Sequence, residues 1–268
     1  MSERKNSKLK FTSLHSHSTY SVFDGLCYPD EHITSAYERG LQGFALTDHG
    51  NMNGFSHAFI KASKMAKEGI TDFKVIYGIE AYVHPSISEW DQQRTKIKED
   101  TESKVDLDDD EVALVVEDEK ETKKGIRSTL NKRSHLVLVA QNQVGLNNLF
   151  KMVTQSYKGN NFYRFPRMDY DLLKQHNEGI IASSACLGGI LSNDYWDNIE
   201  NGRGAVYKAM EKSVEKLMDI FGDRFYGELQ WANYAEQHIV NQFIIELSKQ
   251  YGFKLISTCD SHYPTPDK

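Results

Sequence analysis

Short apolar runs, each closed by a residue able to bind a metal ion, recur along this chain of 268 residues. FALT runs into Asp48 and His49, GIIASSAC closes on Cys186, and KLISTCDSHY carries Asp260 and His262. The stretch from Leu14 to Gly25, LHSHSTYSVFDG, sets the pattern. Side chains two apart on a strand leave the same face, so His15 and His17 point together. Asp24 follows at a glycine turn, near enough to fold back over them. One His-x-His taken alone fits two surface histidines on an edge strand as well as it fits a metal site. Its repetition at strand after strand demands a fold that gathers strand ends on one side.

Helices lie between these runs. Pro29-Asp30-Glu31 opens an amphipathic helix that Gly40 closes, and a second runs from Phe55 to Lys67 and ends at Gly69. The strand VIYGIEAYV carries Glu80, HLVLVAQN opens on His135, and a helix from Val144 to Tyr157 follows. After a short helix near Leu172, amphipathic helices over Ala205–Phe221 and Ala235–Tyr251 flank the strand FYGELQ. Seven strands, nearly all followed by a helix, predict parallel strands with crossover helices in a closed or nearly closed α/β barrel. Chemistry in such barrels collects at the C-terminal strand ends. His135 is awkward, because it opens its strand; it would have to lie where the chain returns from the segment before it.

That segment, residues 86–130, holds fourteen acidic and eight basic residues, the whole of the net charge of −6. The remainder carries 24 of each sign, so no broad basic surface favours tight non-specific DNA binding. Acidic, poor in aromatics and without a period, it reads as a mobile, solvated insertion between strands three and four. Replacing Ser88–Leu130 by a short linker is then expected to leave stability unchanged. Within it Val112 to Val116 could form a hairpin strand. Asp108 to Glu111 lacks the glycine turn and closing Glu of a calcium loop and reads as solvated charge. No apolar run reaches membrane-spanning length, and the polar N-terminus has no signal-peptide core. Three cysteines (Cys27, Cys186, Cys259) are too few for a disulfide framework, so a soluble, cytoplasmic protein is expected.

The candidate ligands are His15, His17, Asp24, His49, Glu80, His135, Cys186, Asp260 and His262. Glu80 lies in an apolar strand, where a lone carboxylate is costly. Asp260 and His262 share a face, leaving Cys259 to point away as a buried thiol. Nine donors exceed the needs of one ion, so two or three divalent metal ions are expected. Mixed His and carboxylate ligands suit zinc, manganese or iron, and the thiolate leans to zinc. A two-metal site suits phosphoester hydrolysis; a mononuclear amidohydrolase is the competing chemistry. Arg164 and Arg167, in the aromatic and basic stretch NNFYRFPRMDY, are candidates to hold substrate phosphates, ordinary loop charges being the alternative. His32, His57, His176 and His238 fall on helices as surface or satisfied core residues, and His84 is a second candidate for the place given to His135.

The blocks HSHSTYSVFDG, ALTDHGNMNG, YGIEAYV, HLVLVAQNQVGLNNL, SSACLGG, YGELQ and CDSHY resemble, in order, those of the PHP (polymerase and histidinol phosphatase) domain. The resemblance is to the form found at the N-terminus of bacterial DNA polymerase III alpha subunits, and it covers nearly all of residues 1–268 except the insertion. It implies one PHP-type domain, a distorted seven-stranded (β/α)7 barrel with up to three metals. By the resemblance, one metal takes His15, His17 and Asp260, with Glu80 bridging to a second that adds His135 and Cys186. A third uses Asp24, His49 and His262. His15, His17, Glu80 and Asp260 would be the catalytic set. The implied activity is that of a metal-dependent phosphoesterase or 3′–5′ exonuclease on a DNA 3′ end in replication, with a polymerase subunit or other replisome protein as partner. Alternatives are a structural docking module of a split polymerase and a small-molecule phosphatase of the histidinol-phosphatase type. The chain ends at Lys268, without polymerase palm carboxylates, so a free-standing protein, one piece of a split polymerase or an excised domain is expected.

Overall fold

The computed structural model describes residues 10–102 and 133–265. Its sheet is built on a path of seven strands: β1 (Thr12–Ser13), β2 (Gly43–Leu46), β3 (Lys74–His84), β4 (Ser134–Ala140), β7 (Ile180–Ser183), β8 (Phe225–Gln230) and β9 (Lys254–Thr258), neighbours in that order. The expected nearly closed seven-strand α/β barrel is therefore present. The seam between β1 and β9 is bridged just past the strand ends, where Ser16 pairs with Ser261 in parallel. There the His17 N–H donates to Ser261 O at 2.8 Å and the Ser261 N–H to His15 O at 3.1 Å.

Two features depart from the expected alternation. β4 runs antiparallel to both β3 and β7, whereas the other path pairs are parallel. The start of β4 thus lies beside the end of β3, with Ser134 opposite Val83 and His135 opposite Tyr82. This resolves the awkward His135: it opens its strand at the end where its neighbours finish. Two further strands, β5 (Phe162–Tyr163) and β6 (Phe165–Asp169), form a hairpin in the stretch expected to be a loop, and β6 extends the far end of β3 in parallel.

Helix α1 (Pro29–Glu38) starts as its proline predicts, with the Glu31 carboxylate accepting the Tyr28 N–H at 3.0 Å. It packs with α2 (Phe55–Lys67) on β2, where Ile33, Phe44, Leu46, Ala58 and Met65 form a small apolar cluster. A larger cluster fills the rest, from Ile79, Leu136 and Leu138 of the sheet out to the helices. These are α4 (Gln143–Ser156), α5 (Tyr170–Gln175), α6 (Ile190–Asn198), α7 (Arg203–Phe221) and α8 (Ala235–Tyr251). Helix α4 comes so close to the turn before β7 that a Cβ on Gly145 would lie 1.8 Å from Gly179 O, so only glycine fits. The Asn142 side chain caps it, accepting the Gly145 N–H at 3.0 Å. No helix among the described residues is long and apolar enough to cross a membrane.

The reading of residues 86–130 as a solvated excursion is corrected at its start. Helix α3 spans Ile87–Glu102, and Ile87 and Trp90 in its first turns are buried. The Arg167 guanidinium stacks on the Trp90 ring at 4.0 Å, and Tyr163 of the β5–β6 hairpin lies 5.1 Å away. Composition averaged over the segment hid these two anchors. Residues 103–130, with the Asp108–Glu111 and Val112–Val116 stretches, lie outside the described residues. Trp90→Ala is expected to lower the unfolding free energy by about 3 kcal/mol, the usual scale for emptying a buried aromatic site. Urea unfolding checks this; a change below about 0.5 kcal/mol would put Trp90 on the surface.

Candidate metal centre

The strand ends deliver eight of the nine expected ligands into three overlapping groups. One is His15, His17 and Asp260; another is His49, Glu80 and His135; the third is His17, Asp24, His49 and His262. Glu80 is fully buried in the centre. Its Oε1 lies 3.4 Å from His15 Nε2 and 3.1 Å from His135 Nδ1, and its Oε2 lies 3.4 Å from His17 Nε2 and 2.9 Å from His49 Nδ1. The ninth residue, Cys186, is beside the second group, its Sγ 3.6 Å from both Glu80 Oε1 and His135 Nδ1. At the rim the Asp24 carboxylate reaches His49 Nε2 at 3.2 Å and His262 Nε2 at 3.0 Å. Asp260 turns inward because its backbone is left-handed, with φ 49°, a conformation Asp tolerates better than most residues.

Several of these donors lack the hydrogen-bond partners that a polar core would give them. His15 Nε2, His17 Nε2, His49 Nδ1, Glu80 Oε2 and Asp260 Oδ1 are buried without a hydrogen bond, although buried polar atoms are nearly always satisfied. Donors sharing one ion with bonds of about 2.1 Å lie roughly 3.0–3.4 Å apart, the spacing found around Glu80. The opposite ring nitrogens are occupied. His15 Nδ1 donates to Glu228 Oε1 at 2.6 Å. His17 Nδ1 donates to Ser21 Oγ at 3.0 Å, since that hydroxyl gives its own proton to Asp48 Oδ1 at 2.9 Å. With that proton held on Nδ1, the neutral form of each ring would present Nε2 to the centre, the arrangement by which a partner on the far nitrogen orients a metal ligand. The residues present fit divalent cations.

The PHP domain profile matches residues 13–232. The chain belongs to the PHP domain family. DNA polymerase III subunit alpha of Aquifex aeolicus is 38% identical over 96% of this chain, and that of Helicobacter pylori 34% over 96%. In each case the chain spans only 18% of the relative's length. Among solved structures, a two-domain protein from Bacteroides vulgatus, described as containing a predicted PHP-like metal-dependent phosphoesterase, superposes with a TM-score of 0.47 at 12% identity. The match covers 98% of this chain and 57% of that one.

In this PHP domain the sequence reading missed the carboxylate behind His15. Glu228 is buried, accepts from His15, Ser183 Oγ (2.5 Å) and Thr258 Oγ1 (2.5 Å), and makes FYGELQ the second apolar strand with an acid inside it. That shared oddity with Glu80 was the available signal. Asp48 was missed likewise; it is buried and accepts from the Ser18 N–H at 2.6 Å and the Ser18 hydroxyl at 2.9 Å, fixing the loop that carries Asp24. Three expectations are corrected. Arg167 is buried, its guanidinium donating to Asn160 O at 2.6 Å and Asn161 O at 3.3 Å and stacked on Trp90, so it is not available to a substrate. Arg164 sits at the β5–β6 turn with φ 58° and lies over Tyr163, not against the donors. Cys259 is exposed, as are Lys254, Leu255 and Ser257 of the strand before it. His84 is buried at the end of β3, its Nδ1 accepting the Ser86 N–H at 3.2 Å, and does not take the place of His135.

Charge among these donors is tightly balanced. Burial opposes a charged His15, but Glu228, Glu80 and Asp260 outweigh it and raise its pKa well above the ordinary 6.5. Burial would raise Glu80, yet the charge of His15 and the close imidazoles of His135 and His49 bring it well below 4.5. Asp260, where burial is opposed by His15 and His17, falls to about 2. Burial and the charge of Glu80 push the Cys186 thiol up, so without a cation it keeps its proton. The signs follow by linkage. The stabilising proton of His15 is fully effective below 6.5 and is lost as the pH rises through its raised folded value. The carboxylates stabilise above their unfolded values near 4 and lose this as the pH falls through their depressed folded ones. Chelator-treated protein should therefore melt highest between about pH 4.5 and 6.5 and progressively lower above that. Added zinc or manganese, which needs unprotonated imidazoles, should abolish the decline. A melting temperature that holds steady or climbs above pH 6.5 in chelator would contradict this charge assignment.

Glu80→Gln keeps the shape and removes the charge common to the groups. Bound metal, measured by elemental analysis, is expected to fall by more than one equivalent. Full metal retention would refute the central place given to Glu80.

Proposed function

We propose that this PHP domain is a metal-dependent phosphoesterase acting as a 3′–5′ exonuclease on DNA strand ends. The observation that carries the reading is the set of five buried donor atoms without hydrogen bonds, converging on Glu80 at an open rim. His15, His17, Glu80 and Asp260 would hold one ion, His135, Cys186 and Glu80 a second, and Asp24, His49 and His262 a third. Bound there, divalent ions supply Lewis-acid stabilisation of phosphoryl oxygens and a nucleophile at neutral pH by acidifying water.

The chain's own contribution is orientation and charge. Glu228 and the Ser21–Asp48 pair hold the proton on Nδ1 of His15 and His17, so Nε2 needs no reorganisation before it binds. Asp24 and His262, part-exposed at the rim, leave the centre open on the side from which a strand end can enter. DNA as substrate is favoured by the relatives, which are named as DNA polymerase III alpha subunits.

Protein reconstituted with zinc or manganese should remove nucleotides slowly from single-stranded DNA 3′ ends. Chelator, or His15→Ala with Asp260→Ala, should reduce the rate at least a hundredfold, as expected for residues acting as one unit. Oligonucleotides labelled at the 3′ or the 5′ end, compared with histidinol phosphate, decide the matter. Brisk turnover of histidinol phosphate with DNA untouched would make it a small-molecule phosphatase. No cleavage of either with the metals bound would leave a structural docking module.

A further inference from the structure

Beside the metal centre stands a ladder of rings that ends in a positive charge. Tyr82, two residues after Glu80 on β3, faces the same side of the strand. Its ring stacks on His49 with centroids 5.6 Å apart and 4° between planes, and meets His135 edge-on at 5.4 Å. Phe165 follows at 5.2 Å from Tyr82. The Arg133 guanidinium closes the ladder, 3.6 Å from the Phe165 centroid and 5.6 Å from that of Tyr82. Gly50, beside His49, is left-handed at φ 65°, and a Cβ there would come within 2.9 Å of the Tyr82 ring, so the backbone is shaped to admit it.

Arg133 is exposed and two residues before His135, so it stands at the same mouth as the ligands. Among the described residues its guanidinium has no carboxylate or hydrogen-bond partner, and neither has the Tyr82 hydroxyl. A guanidinium held flat on aromatic rings keeps its N–H edge free for an oxyanion, and its fork matches phosphate geometry. It touches none of the metal donors; one aromatic ring separates it from the imidazoles of His49 and His135. A phosphate at the metal donors would therefore be out of its reach, and the next phosphate along a strand would not.

We infer that Arg133, held on the Tyr82–Phe165 ladder, contacts the substrate phosphate next to the phosphoester being cleaved, so that the centre selects strand ends carrying two consecutive phosphates. The inference rests on the phosphoesterase reading and names its specificity residue. It also replaces Arg164 and Arg167 in the part expected of them from sequence.

The test is binding, independent of turnover. A 5′-fluorescein oligothymidylate is titrated with chelator-treated and with metal-loaded protein by anisotropy, against pdTpdT and thymidine monophosphate as competitors. Wild-type protein should prefer pdTpdT to the monophosphate. Arg133→Gln should weaken oligonucleotide binding about tenfold, the scale of one charge-assisted hydrogen-bond pair, and remove that preference. The slope of log Kd against log salt should shrink by about 0.7. Arg133→Lys should recover the salt slope but not the full affinity, because it restores charge without the fork. Metal content and melting temperature should be unchanged in both variants, since the side chain is exposed. An Arg133→Gln protein that binds as wild type, or a wild type without preference for pdTpdT, overturns the inference. Retained, Arg133-dependent binding with no DNA hydrolysis would support it while removing the exonuclease reading.

Discussion

Glu80 has no exposed surface and lies mid-strand among apolar neighbours, where an unpaired charge could not persist. Its two oxygens face four imidazoles contributed by β1, β2 and β4 or the loops that follow or precede them. Asp260 and His262, which follow β9, join this group only because the sheet curls until β9 meets β1. The closing seam is made by the same residues: the backbones of His15, His17 and Ser261 exchange the hydrogen bonds, while the neighbouring side chains turn inward. Barrel closure and assembly of the donor set are thus one event. Loss of the seam would expose the donors.

The strand and helix order was legible because apolar runs and their Pro and Gly boundaries are local signals. Helix α2 has the bounds expected of it, and α1 opens at the expected proline. Strand direction was not legible, because apolar period says which residues face inward but nothing about which way a strand runs. His135 carried the missing information. A chemically capable residue at the wrong end of its strand implies a strand that runs the other way, and β4 does. The start of residues 86–130 was misread for a related reason: a charge average cannot show two apolar side chains, Ile87 and Trp90, spaced to dock one helical turn.

The donors were readable in sequence because imidazole, thiol and carboxylate groups at strand ends have few structural uses. The groups that orient them were not. Ser21, Asp48 and Glu228 are ordinary residue types whose roles depend on which strand lies beside which, as with Ser183 and Thr258 converging on Glu228 from two neighbours. Arginines were the hardest to place. Arg167, in an aromatic run, is spent on backbone carbonyls and a buried Trp, whereas Arg133, beside a charged segment without sequence distinction, stands at the mouth. Sequence shows that a guanidinium is present; only the fold shows whether its N–H groups are already taken.

Burial across the donors is graded, and the gradient has a consequence for the cations they fit. His15 and His17 have no side-chain exposure and carry fixed partners on Nδ1, so their geometry is set before any ion arrives. At the rim the side chains of His49, His262 and Asp24 are 17%, 27% and 39% exposed. A cation among the deep donors would sit in a dry environment, where electrostatic attraction is strongest and water competes least. A cation among the rim donors shares its ligands with solvent and with whatever anion enters the mouth. On the proposed reading, depth would separate two tasks within one donor set, retention below and exchange above, and a substrate oxygen would enter at the rim without dismantling the deep donors beside the seam.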